Sequence, residues 1–307
     1  MQDDSRSVLI GFDGSPEAEA AIRAAGTLLA PRRAVVAHVS DAVPALLVHA
    51  GPMTGAVGQL EEEEARAAAR TAERGAELAE RAGFEASAVM ATGKPKAWPK
   101  LLELADRHGA EAVVVGSRGV GRVESALFGS VSAGLLHHSR LPLLIVPPLP
   151  DEHPSGPVVI GYDGSEHAGA AIEAAGRVLA RRKTLVQTVW VSLRAVAAAG
   201  VAGAPPDVIA KGAQEIDRGV REKAESTAEQ GAELAAGQGL EASGEAIEAN
   251  GNVWRTLLDS VETRRAAALV VGSQGRSAFG ARLLGSVSRA LVHHAPVPVL
   301  VVRPPGD

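Results

Sequence analysis

The chain has 307 residues, of which 46% are hydrophobic and 22% charged, and this composition is typical of a globular protein with two domains. The absence of cysteine excludes disulfides and thiolate metal sites, and a net charge of −5 without a basic tract argues against a nucleic-acid partner. The N-terminus lacks a basic segment followed by an apolar one, and no apolar run approaches the ~18 residues of a membrane span. We therefore expect a cytoplasmic protein with no membrane partner.

Short runs rich in Val and Ile alternate with helical patterns along the first half, and the second half repeats the order. The pattern predicts strands at Ser7–Phe12, Ala34–Val39, Phe84–Ala91, Ala112–Val115 and Leu143–Val146, and helices at Pro16–Ala30, Gln59–Ala82, Ala97–His108 and Ser130–Ser139. Such β/α units predict an α/β fold with a doubly wound, five-stranded parallel sheet in each half. A strand order of 3-2-1-4-5 would place the loops after strands 1 and 4 in one crevice.

The chain is a duplication. Val8–Ala30 aligns with Val158–Ala180, and Gly116–Pro148 aligns with Gly272–Pro304; the second half carries an insertion between about Ser192 and Val220. Prolines cluster between the halves, and proline cannot join a strand ladder or a helix interior. We therefore predict one domain at 1–148, a Pro-rich linker at 149–156 and a second domain at 157–307.

Each half contains the pattern G-x2-G-x9-G-S after its fourth apolar run, at Gly116 and again at Gly272. Paired glycines let backbone amides approach an anion, and a helix N-terminus favours negative charge. We expect Gly119 and Gly129 to give phosphate access to the backbone. The side chains expected to assist are Ser130 and Ser132 as hydroxyl donors and Arg118 and Arg122 as cations, with Gln274 and Ser277 in place of the arginines in the second half. The structural alternative is a tight turn followed by a capped helix.

An aspartate follows the first strand of each half, in Gly11-Phe12-Asp13-Gly14-Ser15 and in Gly161-Tyr162-Asp163-Gly164-Ser165. One interpretation makes the aspartate a turn former beside an N-capping serine. The other places the carboxylate in the same crevice as the glycine loop. There it would hold a ribose hydroxyl or help to coordinate Mg²⁺, because a carboxylate does not contact a phosphate directly without penalty.

Two further pairs recur in both halves and invite a functional interpretation. Neighbouring histidines (His137-His138 and His293-His294) point in different directions on a helix, so we expect helix C-terminal contacts rather than a metal site. Trp98 and Trp254 are expected to anchor the core or an interface. Common enzyme signatures are missing: the sequence has no G-x4-G-K-[ST], no G-x-G-x-x-G after strand 1 and no G-x-S-x-G.

With these motifs in place, the chain resembles a tandem universal stress protein of the ATP-binding subclass. The resemblance implies ATP with Mg²⁺ in two sites per chain, and it places the adenine against backbone groups at the end of strand 2, around Val39 and Val189. The other contacts that it implies are Gly11, Asp13, Gly116, Ser117, Arg118, Gly119, Gly129, Ser130 and Val131 in the first half, and Gly161, Asp163, Gly272, Ser273, Gln274, Gly275, Gly285, Ser286 and Val287 in the second, where Ser288 matches Ser132.

The resemblance implies a regulatory stress-response protein with slow or no ATP hydrolysis. One alternative is an enzyme, a nucleotide hydrolase or nucleotidyl-transfer protein on a related fold. Another is an interaction protein with empty pockets, which the intact glycines disfavour.

The last strand of each half, Leu143–Val146 and Val299–Val302, is apolar throughout and is expected at a sheet edge. An exposed apolar edge favours pairing with another strand. The sequence therefore predicts an intrachain pseudo-dimer in which the two edges pair about a pseudo-twofold axis, with a homodimer of whole chains possible through other surfaces.

Overall fold

The computed structural model describes residues 6–30, 33–41, 54–93, 96–119, 129–149, 155–192, 206–249, 251–275 and 284–304. The chain divides into two compact units, one formed by Met1–His153 with Val178–Ala180 and the other by Pro154–Arg177 with Arg181–Asp307. Each unit is described by itself below. The predicted cation Arg122 and most of the predicted linker lie outside the described residues.

The first unit alternates strands and helices. Its elements are β1 (Ser7–Gly11), α1 (Pro16–Leu28), β2 (Arg33–Asp41), α2 (Thr54–Arg81), β3 (Glu85–Gly93), α3 (Trp98–Arg107), β4 (Ala110–Gly116), α4 (Ser130–His138) and β5 (Leu143–Val146). Strand β1 lies between β2 and β4, β2 pairs with β3, and β4 pairs with β5, all in parallel. The order is therefore β3-β2-β1-β4-β5, and the carboxyl ends of β1 and β4 are neighbours.

The second unit repeats this arrangement. Its elements are β6 (Val158–Gly161), α5 (Glu166–Val178), β7 (Lys183–Trp190), α6 (Pro206–Gly237), β8 (Glu241–Glu248), α7 (Val253–Thr263), β9 (Ala268–Gly272), α8 (Ser286–His294) and β10 (Val299–Val302). Strand β6 pairs with β7 and β9, β7 with β8, and β9 with β10, again in parallel. The predicted α/β class, with a five-stranded parallel sheet in each half, is confirmed.

The central strands are apolar on both faces. Val8, Leu9 and Ile10 of β1 are fully buried, and so are Leu269 and Val270 of β9. A strand whose successive side chains are all buried must be covered on both sides, as in a parallel sheet between two helical layers. This explains why these strands appear in the sequence as continuous Val, Ile and Leu runs.

The paired histidines and tryptophans pack at the C-terminal ends of α4 and α8. His138 Nδ1 lies 2.9 Å from the Gly134 carbonyl oxygen and donates to it, and the Trp98 ring stacks on His138 at 4.1 Å. Trp254 stacks on His294 at 5.1 Å. The described residues contain no group of His, Cys, Asp or Glu that could hold a metal ion. The predicted helix C-terminal role is confirmed for His138.

Among the described residues, none of the helices combines the length and the apolar character that crossing a membrane requires.

Candidate functional site

A cavity of about 740 Å³ lies at the carboxyl ends of β1, β2 and β4 in the first unit. This is the edge of the sheet at which a doubly wound fold binds its ligands. Most of the site residues predicted for the first half line it: Gly11, Asp13, Val39, Gly116, Arg118, Gly119, Gly129, Ser130, Val131 and Ser132. Ser117 is only 5% exposed and belongs to the framework of the loop.

The aspartate after β1 first serves the backbone. The Ser15 N–H donates to Asp13 Oδ1 at 3.0 Å, and the Ser15 hydroxyl oxygen accepts from the Ala18 N–H at 3.1 Å, which caps α1. Gly14 has φ +82°, which favours glycine. The second unit matches, with Ser165 N–H to Asp163 Oδ1 at 3.0 Å and Gly164 at φ +79°. The turn-and-cap role considered for the sequence is therefore present in both units.

The other carboxylate oxygen faces the glycine loop. A Cβ placed on Gly119 would overlap Asp13 Oδ2, and one placed on Gly275 would lie 2.8 Å from Asp163 Oδ2. Only glycine leaves room for the loop to run this close to the carboxylate. The structure thus divides the aspartate between two roles, because Oδ1 holds the turn and Oδ2 borders the loop.

Hydrogen bonds close the glycine loop from within. The Gly129 N–H donates to the Ser117 carbonyl at 2.9 Å, and the Ser117 N–H donates to the Val146 carbonyl at 2.7 Å. The equivalent bonds in the second unit, Gly285 to Ser273 and Ser273 to Val302, measure 2.8 and 2.7 Å. The two ends of the loop are therefore fixed by the backbone in the same way in both units.

The inner serine of each loop has a structural role that the sequence did not indicate. Ser132 Oγ donates to the carbonyl oxygens of Ser117 and Gly129, at 2.8 and 3.0 Å, and Ser288 Oγ donates to the Gly272 carbonyl at 2.7 Å. A hydroxyl has a single proton. The expectation that Ser132 donates to a phosphate is therefore corrected, since its proton holds the loop, whereas the side chain of Ser130 is exposed.

Helix α4 begins at this cavity without a side-chain cap. Its N-cap residue, Gly129, is extended (φ −74°, ψ 154°) and makes no side-chain hydrogen bond, and Gly285 repeats this at α8 (φ −60°, ψ 154°). Helix α1, which starts beside the same cavity, is capped by Ser15. An uncapped N-terminus presents first-turn amides and a positive dipole end to whatever lies in front of it. The arrangement suits an anion.

The remaining walls are apolar on one side and polar on the other. A Cβ on Gly11 would meet Val115 at 3.1 Å and Leu101 at 3.3 Å, so the floor is a narrow apolar strip. Exposed Lys96 lines the cavity together with exposed Arg118, and sequence reasoning missed the lysine. His38 lies 2.8 Å from the Phe12 carbonyl oxygen through Nδ1. Since a carbonyl only accepts, Nδ1 carries the proton, and Nε2 of a neutral ring is an acceptor.

The second unit has the same framework with different side chains around it. Thr188 takes the place of His38 and donates to the Tyr162 carbonyl at 2.8 Å. The alignment of the two halves gives other replacements in the second unit: Gln187 for Ala37, Trp190 for Ser40, Gln274 for Arg118 and Asn252 for Lys96. Val189 lies between Thr188 and Trp190 at the end of β7, as Val39 does in β2. The cations near the loop are thus replaced by neutral side chains.

Comparison with known proteins agrees with this architecture. The universal stress protein family matches the chain twice, at residues 5–147 and 155–303. A universal stress protein of Mycolicibacterium smegmatis is 29% identical over 97% of each chain, and one of Mycobacterium tuberculosis is 28% identical over 96% of each. The crystal structure of a universal stress protein from Archaeoglobus fulgidus superposes with a TM-score of 0.60 over 99% of both chains, at 18% identity.

These matches cover the two halves separately and the whole chain together. The chain therefore belongs to the universal stress protein family and carries two copies of its domain, as its sequence motifs predicted. Proteins of this family generally take part in stress responses.

Proposed function

We propose that this protein binds ATP and acts as a nucleotide-responsive regulator in the cytoplasm. The observation that carries the proposal is the convergence, in one cavity of about 740 Å³, of an uncapped helix N-terminus, a glycine loop and a strand-end aspartate. A volume of this size suits a small-molecule ligand. The backbone amides at the start of α4 suit a phosphate. A turn with a purely structural role would not require such amides to face a cavity.

The parts of a nucleotide find chemically matched partners in the first unit. The phosphates would lie at Gly119, Ser130 and Val131, with the exposed Arg118 nearby. The base would lie on the apolar strip beside the backbone of Val39. The close approach of the Gly119 backbone to the aspartate supports this fit, because a Cβ at that position would overlap Asp13 Oδ2.

Magnesium would accompany the phosphates rather than occupy a site of its own. Among the described residues no metal-binding group of His, Cys, Asp or Glu occurs, and Asp13 Oδ1 already accepts from Ser15. Asp13 Oδ2, which borders the glycine loop, would meet a ribose hydroxyl or the hydration shell of Mg²⁺. When bound, the ion would neutralise phosphate charge next to this carboxylate.

We extend the proposal to a second site in the second unit, with Asp163, Gly275 and the start of α8 in the same roles. Its support is the matching backbone geometry of the loop, the turn and the uncapped helix. Calorimetric titration with Mg-ATP tests the proposal directly: we expect two sites per chain. Mass analysis of nucleotide released from freshly purified, denatured protein gives an independent check. A titration without heat, together with no released nucleotide, contradicts it.

Regulation rather than catalysis is the proposed role. With Mg²⁺ and excess ATP we expect turnover well below the roughly 1–10³ s⁻¹ of typical enzymes. A rate within that range that disappears in Asp13→Asn would favour the hydrolase alternative.

A further inference from the structure

One of the three tryptophans differs from the other two in its surroundings. Trp98 and Trp254 each stack on a histidine within their unit. Trp190 makes no ring contact among the described residues, and it stays partly exposed at the last position of β7. A large aromatic side chain at the carboxyl end of an inner strand, where a parallel sheet binds ligands, calls for a ligand-related explanation.

The register of β7 places this ring on the face of the sheet covered by α6. Side chains alternate along a strand, so Val186, Thr188 and Trp190 share one face. A Cβ on Gly231 of α6 would touch Val186 at 2.7 Å, which shows that α6 covers this face. Residues nearer the start of α6, such as Ala224 and the exposed Val220, therefore lie toward the Trp190 end of the strand.

The equivalent cleft in the first unit forms part of the cavity. Ser40 at the end of β2 lines it together with Glu64, Ala67 and Thr71 of α2. The two units are in register here, because a Cβ on Gly14 would meet Thr71 at 3.6 Å and one on Gly164 would meet Thr227 at 3.5 Å. Trp190 thus stands where the first unit has a small serine in the wall of its cavity.

The charged side chains around the two loops also differ. The first unit has Arg118 and Lys96 beside its cavity, and the second has Gln274 and Asn252 at these positions. The cation that the second unit gains, Lys223 in place of Ala67, lies on α6, the wall opposite Trp190, and not in the loop. Acidic side chains change as well, because Glu17 and Glu64 of the first unit are replaced by His167 and Val220, and His167 Nδ1 lies 3.1 Å from Ser273 Oγ of the loop. The feature that distinguishes the second unit is therefore the aromatic face that Trp190 offers to a base.

We propose that Trp190 is the ring on which a nucleobase stacks in the second unit, a contact that Ser40 at the matched position of the first unit cannot make. The inference rests on the proposed nucleotide binding and adds what distinguishes the two sites. Stacking of a base on an aromatic side chain tolerates different sugars and phosphates, because it uses only the base face.

The test measures the fluorescence emission of Trp190 itself. In the full chain carrying Trp98→Phe and Trp254→Phe, Trp190 is the remaining tryptophan, and its emission is followed during titration with ATP, AMP, adenosine and inorganic triphosphate. We expect quenching by the three ligands that carry a base, with adenosine binding within about tenfold of ATP, and no quenching by triphosphate.

Two substitutions at the matched position sharpen the test. Trp190→Ser, which gives the second unit the side chain of the first, is expected to weaken adenosine binding about tenfold, and Trp190→Phe is expected to keep most of it. Both are measured in a Gly119→Ala background, so that the heat of binding comes from the second unit. Ser40, the matched position of the first unit, is left unchanged in both variants.

The outcomes separate the two proposals. Heat of nucleotide binding to the second unit without any change in Trp190 emission, or unchanged or tighter binding in Trp190→Ser, overturns the stacking role and leaves nucleotide binding in place. No heat from either unit of the otherwise unaltered chain overturns nucleotide binding, and the stacking role with it.

Discussion

The two glycine loops are alike in the backbone of their described ends and different in the side chains around them. The hydrogen bond that the aspartate accepts from the serine N–H two residues later measures 3.0 Å in both units. The backbone hydrogen bond that closes the loop measures 2.9 Å in the first unit and 2.8 Å in the second. Nearby, however, Arg118 is replaced by Gln274 and Glu17 by His167. Because the backbone amides would carry the anion contact, the duplication could retain the site while its surroundings changed.

The packing between β7, β8 and α7 in the second unit shows how far this change went. Gln187, which replaces Ala37, donates through Nε2 to Glu245 at 3.0 Å and to Ser260 at 2.7 Å. Arg264 in turn donates to Glu245. The first unit has Val89 and Leu104 at the positions of Glu245 and Ser260. A polar network in the second unit has thus replaced an apolar contact of the first, while the described ends of the loop keep the same hydrogen bonds.

The largest effect on ATP affinity is expected from substitution of the glycine nearest the aspartate in each unit. Gly119→Ala places a methyl group on Asp13 Oδ2, and Gly275→Ala places one 2.8 Å from Asp163 Oδ2. Relief of this contact displaces the carboxylate or the loop that would face the ligand, so we expect a loss of ATP affinity of up to about 100-fold in the altered unit, larger for Gly119. Calorimetry measures it. Gly219→Ala, on an open helix surface, serves as the control, and equal losses in that variant would contradict the argument.

The dual role of the aspartate gives the next largest effect. Asp13→Asn keeps the Oδ1 acceptor for Ser15 and removes the charge at Oδ2, so we expect about tenfold weaker Mg-ATP binding at that unit with little change in the melting temperature of the nucleotide-free protein. Ser15→Ala removes the cap of α1 and is expected to lower the free energy of unfolding by about 1 kcal/mol. If Asp13→Asn instead destabilises the fold and leaves affinity unchanged, the carboxylate serves only the turn.

The smallest expected effect concerns the exposed arginine. Arg118→Gln gives the first unit the side chain of the second, and we expect about fivefold weaker ATP binding at low salt and almost no difference at high salt, because exposed charges are screened. Calorimetry at two ionic strengths measures the change. The reciprocal Gln274→Arg should gain less, since Gln274 is only 8% exposed. A loss for Arg118→Gln that persists at high salt would indicate a role other than charge.

The class of fold followed from the sequence because its determinants are local and repeated. Strand β5 was predicted at its observed bounds, Leu143–Val146, since a short apolar run between Pro142 and Pro147 has few alternatives. The ends of other elements differ from the predicted ones. Strand β2 runs from Arg33 to Asp41 and α2 begins at Thr54, whereas the sequence pattern predicts Ala34–Val39 and a helix that begins at Gln59. Pairing of β2 with β3 over nine positions, not the hydrophobic pattern, sets the length of β2.

Within the candidate site, glycine spacing indicated the loop, and partners distant in sequence set the rest. The burial of the Ser132 hydroxyl depends on the Ser117 carbonyl, and no local pattern reveals this bond. Lys96 lines the cavity, and Trp190 lies at the end of β7, only through the packing of strands and helices that are distant in sequence. A residue-by-residue alignment of the halves, which sets Trp190 on Ser40, was the signal available in the sequence.

The missing side-chain cap of α4 would link nucleotide binding to the lifetime of the protein. Within the described residues, the helix that begins at Gly129 has no side-chain cap, so a nucleotide bound there would act as an exchangeable cap. A ligand present at about 100 times its dissociation constant stabilises the native state by about 2.7 kcal/mol. Degradation that proceeds through the unfolded chain slows as the population of the unfolded chain falls. The abundance of such a protein would then follow the supply of nucleotide in the cell, with no change in its synthesis.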